Sequence, residues 1–146
     1  MKKQELLEKR LEDYKGREFK TMAAAKNLIT KSTIYTSSLK EAKENPKLFY
    51  VGRGSGAGFK CKNGLYNQFI DLAKEDGKWT NEFVDNMFLE TWKDSSRTEE
   101  IEEWKQGKQG LAIRLFVKEK DSKIYKGYGI YYRSGSSQSG VLWRRL

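Results

Sequence analysis

A chain of 146 residues that is 37% hydrophobic, 34% charged and 13% aromatic fits one compact domain with a short appendage. Its eight Tyr, seven Phe and four Trp exclude the aromatic-poor composition of a disordered chain. Lys plus Arg number 29 against 20 for Asp plus Glu, with no His, so the net charge of +9 points to a phosphate-bearing partner, while Ser-His-Asp triads, Cys-His pairs and Cys2His2 zinc sites are ruled out.

Residues 3 to 15 read as an amphipathic helix, with Leu6, Leu7, Leu11 and Tyr14 at helical spacing and Gly16 as a stop. A second helix is expected over 21 to 30, turning Met22, Ala25, Leu28 and Ile29 inward and leaving Lys26 and Asn27 to water. Residues 1–30 therefore read as an N-terminal helical arm on a single domain at 31–146. Ser32–Thr36 and Lys47–Val51 are β-branched or aromatic and read as two strands joined by a polar loop that holds Pro46. Cys61 stands alone, so no intramolecular disulfide forms and a reducing, cytoplasmic setting is expected.

Residues 65 to 76 resume helical spacing through Leu65, Phe69, Ile70, Leu72 and Ala73, ended by Gly77. Trp79 to Thr91 fits either a strand centred on 86 to 91 or a short helix running into one. Ser96-Arg97-Thr98-Glu99 matches a capping box ahead of a helix reaching about Gln106. From Gly110 the period becomes two, with Leu111, Ile113, Leu115 and Val117 on one set of positions. A turn at 119–122, a returning strand from Ile124 to Tyr132, a Gly/Ser loop and a last strand at Val141–Arg145 follow. The sum is an α+β fold: a small mixed or antiparallel sheet with helices packed on it. No run of about 18 apolar residues occurs, so no membrane partner is expected.

Two stretches carry the candidate chemistry. The loop Gly52-Arg53-Gly54-Ser55-Gly56-Ala57-Gly58, with Lys60 beyond it, follows a strand and offers backbone amides and two cations to an anion. Arg53, Gly54, Gly56 and Lys60 are its candidate phosphate contacts. The Walker spacing fails at every register, and the dinucleotide pattern is met only loosely by Gly52, Gly54 and Ala57. A plain connector remains open beside the anion reading. In the C-terminal strands, Arg114, Lys118, Lys126, Arg133, Arg144 and Arg145 interleave with Tyr125, Tyr128, Tyr131, Tyr132 and Trp143. That mixture lets cations track phosphates while rings stack on bases, or else serves a core. Without a bulge, alternation puts Tyr128 with Lys126 and Tyr125 with Tyr131.

The order Thr33-Ile34-Tyr35, spacer, Phe49-Tyr50-Val51-Gly52-Arg53-Gly54-Ser55-Gly56, then Phe88-Leu89-Glu90-Thr91 and a glutamate-rich helix resembles the GIY-YIG nuclease domain over residues 33 to about 105. Thr33 stands where the first motif has its glycine, and at the usual distance of the family's helix arginine this chain has Gly58, Phe59 and Lys60, of which Lys60 supplies a charge but no planar fork. The resemblance implies Tyr35, Tyr50, Gly52 and Glu103 as catalytic, with Glu103 or Glu100 holding Mg²⁺ for metal-assisted phosphodiester cleavage. From the residues alone, Glu99, Glu100, Glu102 and Glu103 equally fit a solvated helix face. The expected function is nucleic-acid or nucleotide binding, extending on the resemblance to endonuclease action. The alternative is a non-catalytic, phage-type inhibitor of a host defence system that grips a nucleotide signal or a nucleoprotein, with a protein partner.

Overall fold

The computed structural model describes residues 3–30, 35–36, 39–45, 49–50, 58–60, 65–74, 79–92, 109–136 and 140–146. The protein is mostly β, which corrects the α+β expectation. Among the described residues, α1 (Lys3–Lys9), α2 (Met22–Thr30) and α3 (Leu39–Glu44) are short, and the strands are β1 (Glu18–Phe19), β2 (Tyr35–Thr36), β3 (Phe49–Tyr50), β4 (Gly58–Lys60), β5 (Tyr66–Asp71), β6 (Trp79–Val84), β7 (Met87–Trp92), β8 (Ala112–Lys118), β9 (Tyr125–Ser136) and β10 (Gly140–Arg145). The main sheet runs β4-β5-β8-β9-β10-β7-β6, with β1 also on β9, and curls into a half-barrel. Its pairs are antiparallel except β5 with β8.

The largest correction is at β5, where the spacing predicts a helix over 65 to 76 and the chain is extended instead. The reason is burial on both faces. Tyr66 and Ile70 pack with Ile113, Leu115 and Val117 on one face, while Leu65 packs with Ala112 and Phe69 with Phe116 on the other. A strand covered on both sides loses the apolar–polar alternation that marks a half-exposed one, and its apolar positions then imitate a helical stripe. Neighbouring β8 shows the same signature, with every residue from Ala112 to Val117 buried. The parallel β5–β8 register, Tyr66 opposite Ile113 through Asp71 opposite Lys118, joins these two interior strands of the sheet.

The N-terminal segment is the layer that covers the second face. Leu6 of α1, 1% exposed, packs with Leu65, Ala112 and Ile130, while Phe19 and Ala25 pack with Phe69, Phe116 and Tyr125. Burying Leu6 contributes about 2 kcal/mol, which matters because a helix of seven residues is marginal without tertiary contacts. The helix also stops earlier than its spacing predicts: Arg10, in the left-handed region at φ 47°, ends it, well before Gly16. The Thr21 hydroxyl caps α2 by accepting from the Ala24 amide at 3.1 Å. Lys26, expected in water, is 6% exposed. Its ammonium lies 5.9 Å from the centroid of the Phe69 ring, and burial lowers its pKa.

Two further segments resolve what the sequence leaves open. Trp79–Thr91 is a hairpin of β6 and β7 around Asp85–Asn86. Asp85, at φ 52°, takes the left-handed conformation that short Asx side chains tolerate in tight turns. Phe83 and Phe88 stack across that hairpin with centroids 4.7 Å apart. The polar spacer after β2 contains α3, and β2 and β3 pair in parallel as a separate two-stranded sheet. A parallel pair needs a crossover, and α3 provides it. The helix expected at 97 to 106 lies outside the described residues.

Candidate functional site

Two places bring polar groups together from distant parts of the chain. The first is sealed. Glu90, 2% exposed, accepts from the Trp143 indole at 2.8 Å, from Gln109 Nε2 at 3.2 Å and from Gln68 Nε2 at 3.0 Å. Gln109 Nε2 also donates to Gln68 Oε1 at 2.6 Å. With Trp143 fully buried and Gln109 at 5% exposure, this network ties β5, β7 and β10 to the start of β8 inside the curl. Burial, reinforced by the charge of Glu90, pushes the Tyr66 hydroxyl up to about 12. The network fastens these strands together, with Gln109 Oε1 the one buried oxygen in it that has no hydrogen-bond partner among the described residues.

The second place is open, and a break in β9 creates it. The first residues of this strand pair with β1, Lys126 opposite Glu18 and Tyr125 opposite Phe19, whereas Tyr131–Ser136 pair with β10. Between the two neighbours the strand bulges: Phe116 faces Gly127 and Leu115 faces Gly129, leaving Tyr128 extra. At Gly127 a Cβ would fall 1.9 Å from the Tyr14 carbonyl oxygen, and the Gly16 amide donates to the Gly127 carbonyl at 2.8 Å. The loop after α1 is therefore drawn tight against the bulge. Gly129, at φ 109°, lies between two cations: its Cβ would meet Arg145 Cδ at 3.4 Å and Lys15 Cβ at 3.9 Å. A side chain at 129 would be strained and would crowd Arg145.

Lys15, Arg145 and Arg10 line one depression of about 210 Å³ at this junction. Arg10 and Tyr14 both hold left-handed backbone, at φ 47° and 53°, the kind of local strain that persists only where the surroundings fix it. Asp13 is the acidic residue of the lining, and its Oδ1 accepts from the Lys15 amide at 3.0 Å. Arg145 stands opposite Tyr131 across the β9–β10 pair; burial raises the Tyr131 hydroxyl's pKa while the nearby guanidinium pulls it back. The remaining lining is apolar: Leu6, Leu11, Ile130 and Leu146, with Leu7 on the rim at 46% exposure. Three cations facing one engaged carboxylate over an apolar floor can hold an anionic group attached to an apolar body.

The residues expected from the sequence are distributed unevenly about this site. Arg145 lies in it. Arg144, next in the chain but on the opposite side of the strand, donates to Ser134 Oγ at 3.0 Å and stands opposite Tyr132, whose ring lies 5.3 Å from the Lys3 ammonium. Lys126 is exposed, across from Glu18. Arg133 rests on the Trp143 ring at 5.0 Å and donates to the Gly110 carbonyl. Arg114 is 6% exposed: its Nε donates to the Glu12 carbonyl at 2.8 Å and its Nη1 to Asn67 Oδ1 at 2.9 Å, so it fastens the N-terminal layer to the sheet. The bulge also changes the expected grouping of the tyrosines, since Tyr128 and Tyr131 share one core and Tyr125 lies in the other.

Tyr35 and Tyr50 lie on neighbouring strands, one position out of register, because Tyr35 pairs with Phe49 and Thr36 with Tyr50. Lys60 is in β4 opposite Tyr66. Gly52, Arg53, Gly54, Gly56, Glu100 and Glu103 lie outside the described residues, and among those described no three acidic or cysteine side chains gather as a metal-binding group. Arg10, Lys15 and Gly129 are the residues that sequence reasoning missed. The turn-forming run Glu12-Asp13-Tyr14-Lys15-Gly16 is the signal that could have moved the end of α1 and freed Lys15 from a helix face. No family model matches the chain, and neither a curated protein nor a solved structure matches it.

Proposed function

We propose that this protein binds nucleic acid through the cationic cleft at the β9 bulge. The observation that carries the reading is the convergence of Arg10, Lys15 and Arg145 on one depression, with Gly129 making room between the last two. Gathering like charges from the ends of the chain costs Coulomb energy unless an anion offsets it, and the net charge of +9 favours encounter with a polyanion. Lys3, at the other end of α1 and 5.3 Å from the Tyr132 ring, extends the positive surface by roughly 10 Å, the rise of a seven-residue helix. The reading is of binding. Cleavage as implied by the GIY-YIG resemblance rests also on Gly52 and on Glu103 or Glu100, which lie outside the described residues, and incubating nucleic acid with Mg²⁺ and the protein tests it separately.

Titrating labelled oligonucleotides at several salt concentrations tests the binding. Affinity falls with salt, with a log-log slope of about −0.9 per phosphate contacted on duplex and about −0.7 on a single strand. Arg10→Ala, Lys15→Ala and Arg145→Ala each weaken binding and make the slope shallower. Three variants with unchanged affinity and slope would overturn the assignment of this cleft.

A further inference from the structure

Resting on that reading, we propose that the cleft takes a single-stranded segment, seating one unpaired base on its leucine floor while the three cations hold the flanking phosphates. In a duplex the base faces are stacked inside, so only edges, sugars and phosphates reach a protein surface. Duplex phosphates could meet Arg10, Lys15 and Arg145, but nothing apolar would cover Leu7, Leu11 and Leu146, the lining residues that the fold leaves partly exposed. An unpaired base presents a flat face that packs on apolar side chains as well as aromatic ones. A depression of about 210 Å³ admits one such ring system and is far too small for a helix about as wide as B-DNA. The apolar floor is recessed behind charged side chains, with Leu7 alone on the rim strongly exposed, which suits an inserted group better than a lipid surface, where apolar side chains must protrude.

Sequence tolerance follows from the same lining. Among the described residues, the polar side chains at the cleft are the three cations and Asp13, and Asp13 Oδ1 is already engaged by the Lys15 amide. Reading a base edge needs a matched donor and acceptor pair, and cations supply donors only. Base identity therefore matters little, while the presence of a base matters.

The test compares fluorescence anisotropy of the full chain with a short labelled single strand, the matching duplex, the same strand carrying abasic positions, and anionic phospholipid vesicles. The single strand binds about tenfold more tightly than the duplex, and abasic substitution removes most of that advantage. Leu7→Ala, at an exposed position, lowers single-strand affinity several-fold with the salt slope unchanged, whereas Arg145→Ala makes the slope shallower by about 0.7. Circular dichroism confirms that both variants fold. Equal single-strand and duplex affinity, with Leu7→Ala silent, would overturn this inference and leave polyanion binding standing. Failure of every nucleic acid to bind would remove both, and preference for vesicles would replace the nucleic acid with a membrane surface.

Discussion

Arg114 and Arg145 lie on β8 and β10, the two long neighbours of β9, yet their surroundings are opposite. Arg114 is closed in by the N-terminal layer, hydrogen-bonded to Glu12 and Asn67 and lying 5.2 Å from the Tyr14 ring. Arg145 stands opposite Tyr131 at the edge of an open depression, with Lys15 and Arg10 for company. A buried guanidinium surrounded by neutral acceptors spends its charge on structure. A guanidinium among other cations keeps its charge for something outside the molecule. The same contrast separates the Glu90 network, sealed inside the curl, from the cleft, where three cations line one open depression.

The sharpest way to break that contrast is at the sealed side. Trp143→Ala removes a fully buried indole and one donor to Glu90, and urea denaturation should show a loss of about 4 kcal/mol. Arg114→Ala leaves Asn67 Oδ1 and the Glu12 carbonyl without their donor and unfastens the N-terminal layer. Its expected cost is about 3 kcal/mol, with faster hydrogen exchange in α1 and α2. A cost below about 1 kcal/mol would mean that Arg114 resembles Arg145 more than the geometry indicates.

Alkali provides a third measurement. The Tyr66 hydroxyl, raised from 10 to about 12 by burial and Glu90, keeps its proton in the folded state after the unfolded chain has lost it. The associated stability is intact below pH 10 and lost as pH rises through 12, at about 1.4 kcal/mol per unit. Tyr128, raised by burial and by its hydrogen bond to Glu119, and the partly offset Tyr131 act in the same direction. Unfolding free energy should thus fall by about 2 to 3 kcal/mol from Tyr66 alone between these pH values, and Tyr66→Phe should remove that share of the slope.

The smallest effect on stability belongs to the open side. Arg145→Ala should change unfolding free energy by less than about 1 kcal/mol, since the side chain is half-exposed, while lowering nucleic-acid affinity about tenfold at low salt, a difference from the wild type that narrows as salt weakens both. A large stability loss without an affinity change would reverse the roles assigned to the two arginines.

Much of the C-terminal half was legible because its β-prone runs are bounded by turn residues, even though β8 is buried on both faces. Leu111 to Lys118 alternates, Glu119–Ser122 has turn chemistry, and Arg144 and Arg145 sit near the end of a short β-prone run; β8, β9 and β10 follow within a few residues. By composition the interleaved cations and rings fit a binding surface or a core alike, and several pair within the fold: Arg114 with Tyr14, Lys118 with Tyr125, and Arg133 with Trp143. Composition gives the same signal for a ring under an internal cation and a ring awaiting a base. The extra residue at Tyr128 was equally hidden, because two nearby glycines permit a bulge without requiring one.

By itself the sequence determined that the chain folds, that it carries a net charge of +9, that no histidine takes part in its chemistry and that its last third is strand. These follow from composition and from short-range alternation, which act within a few residues. The tertiary structure alone decided that β5 is a strand and not a helix, that α1 ends at Arg10, and that Lys15 and Arg145 meet across Gly129. Each depends on what covers a face or fills a gap from more than a hundred residues away, or from the opposite side of a sheet. Local propensity contains no term for such contacts, whereas packing and the loss of a single Cβ at the bulge do.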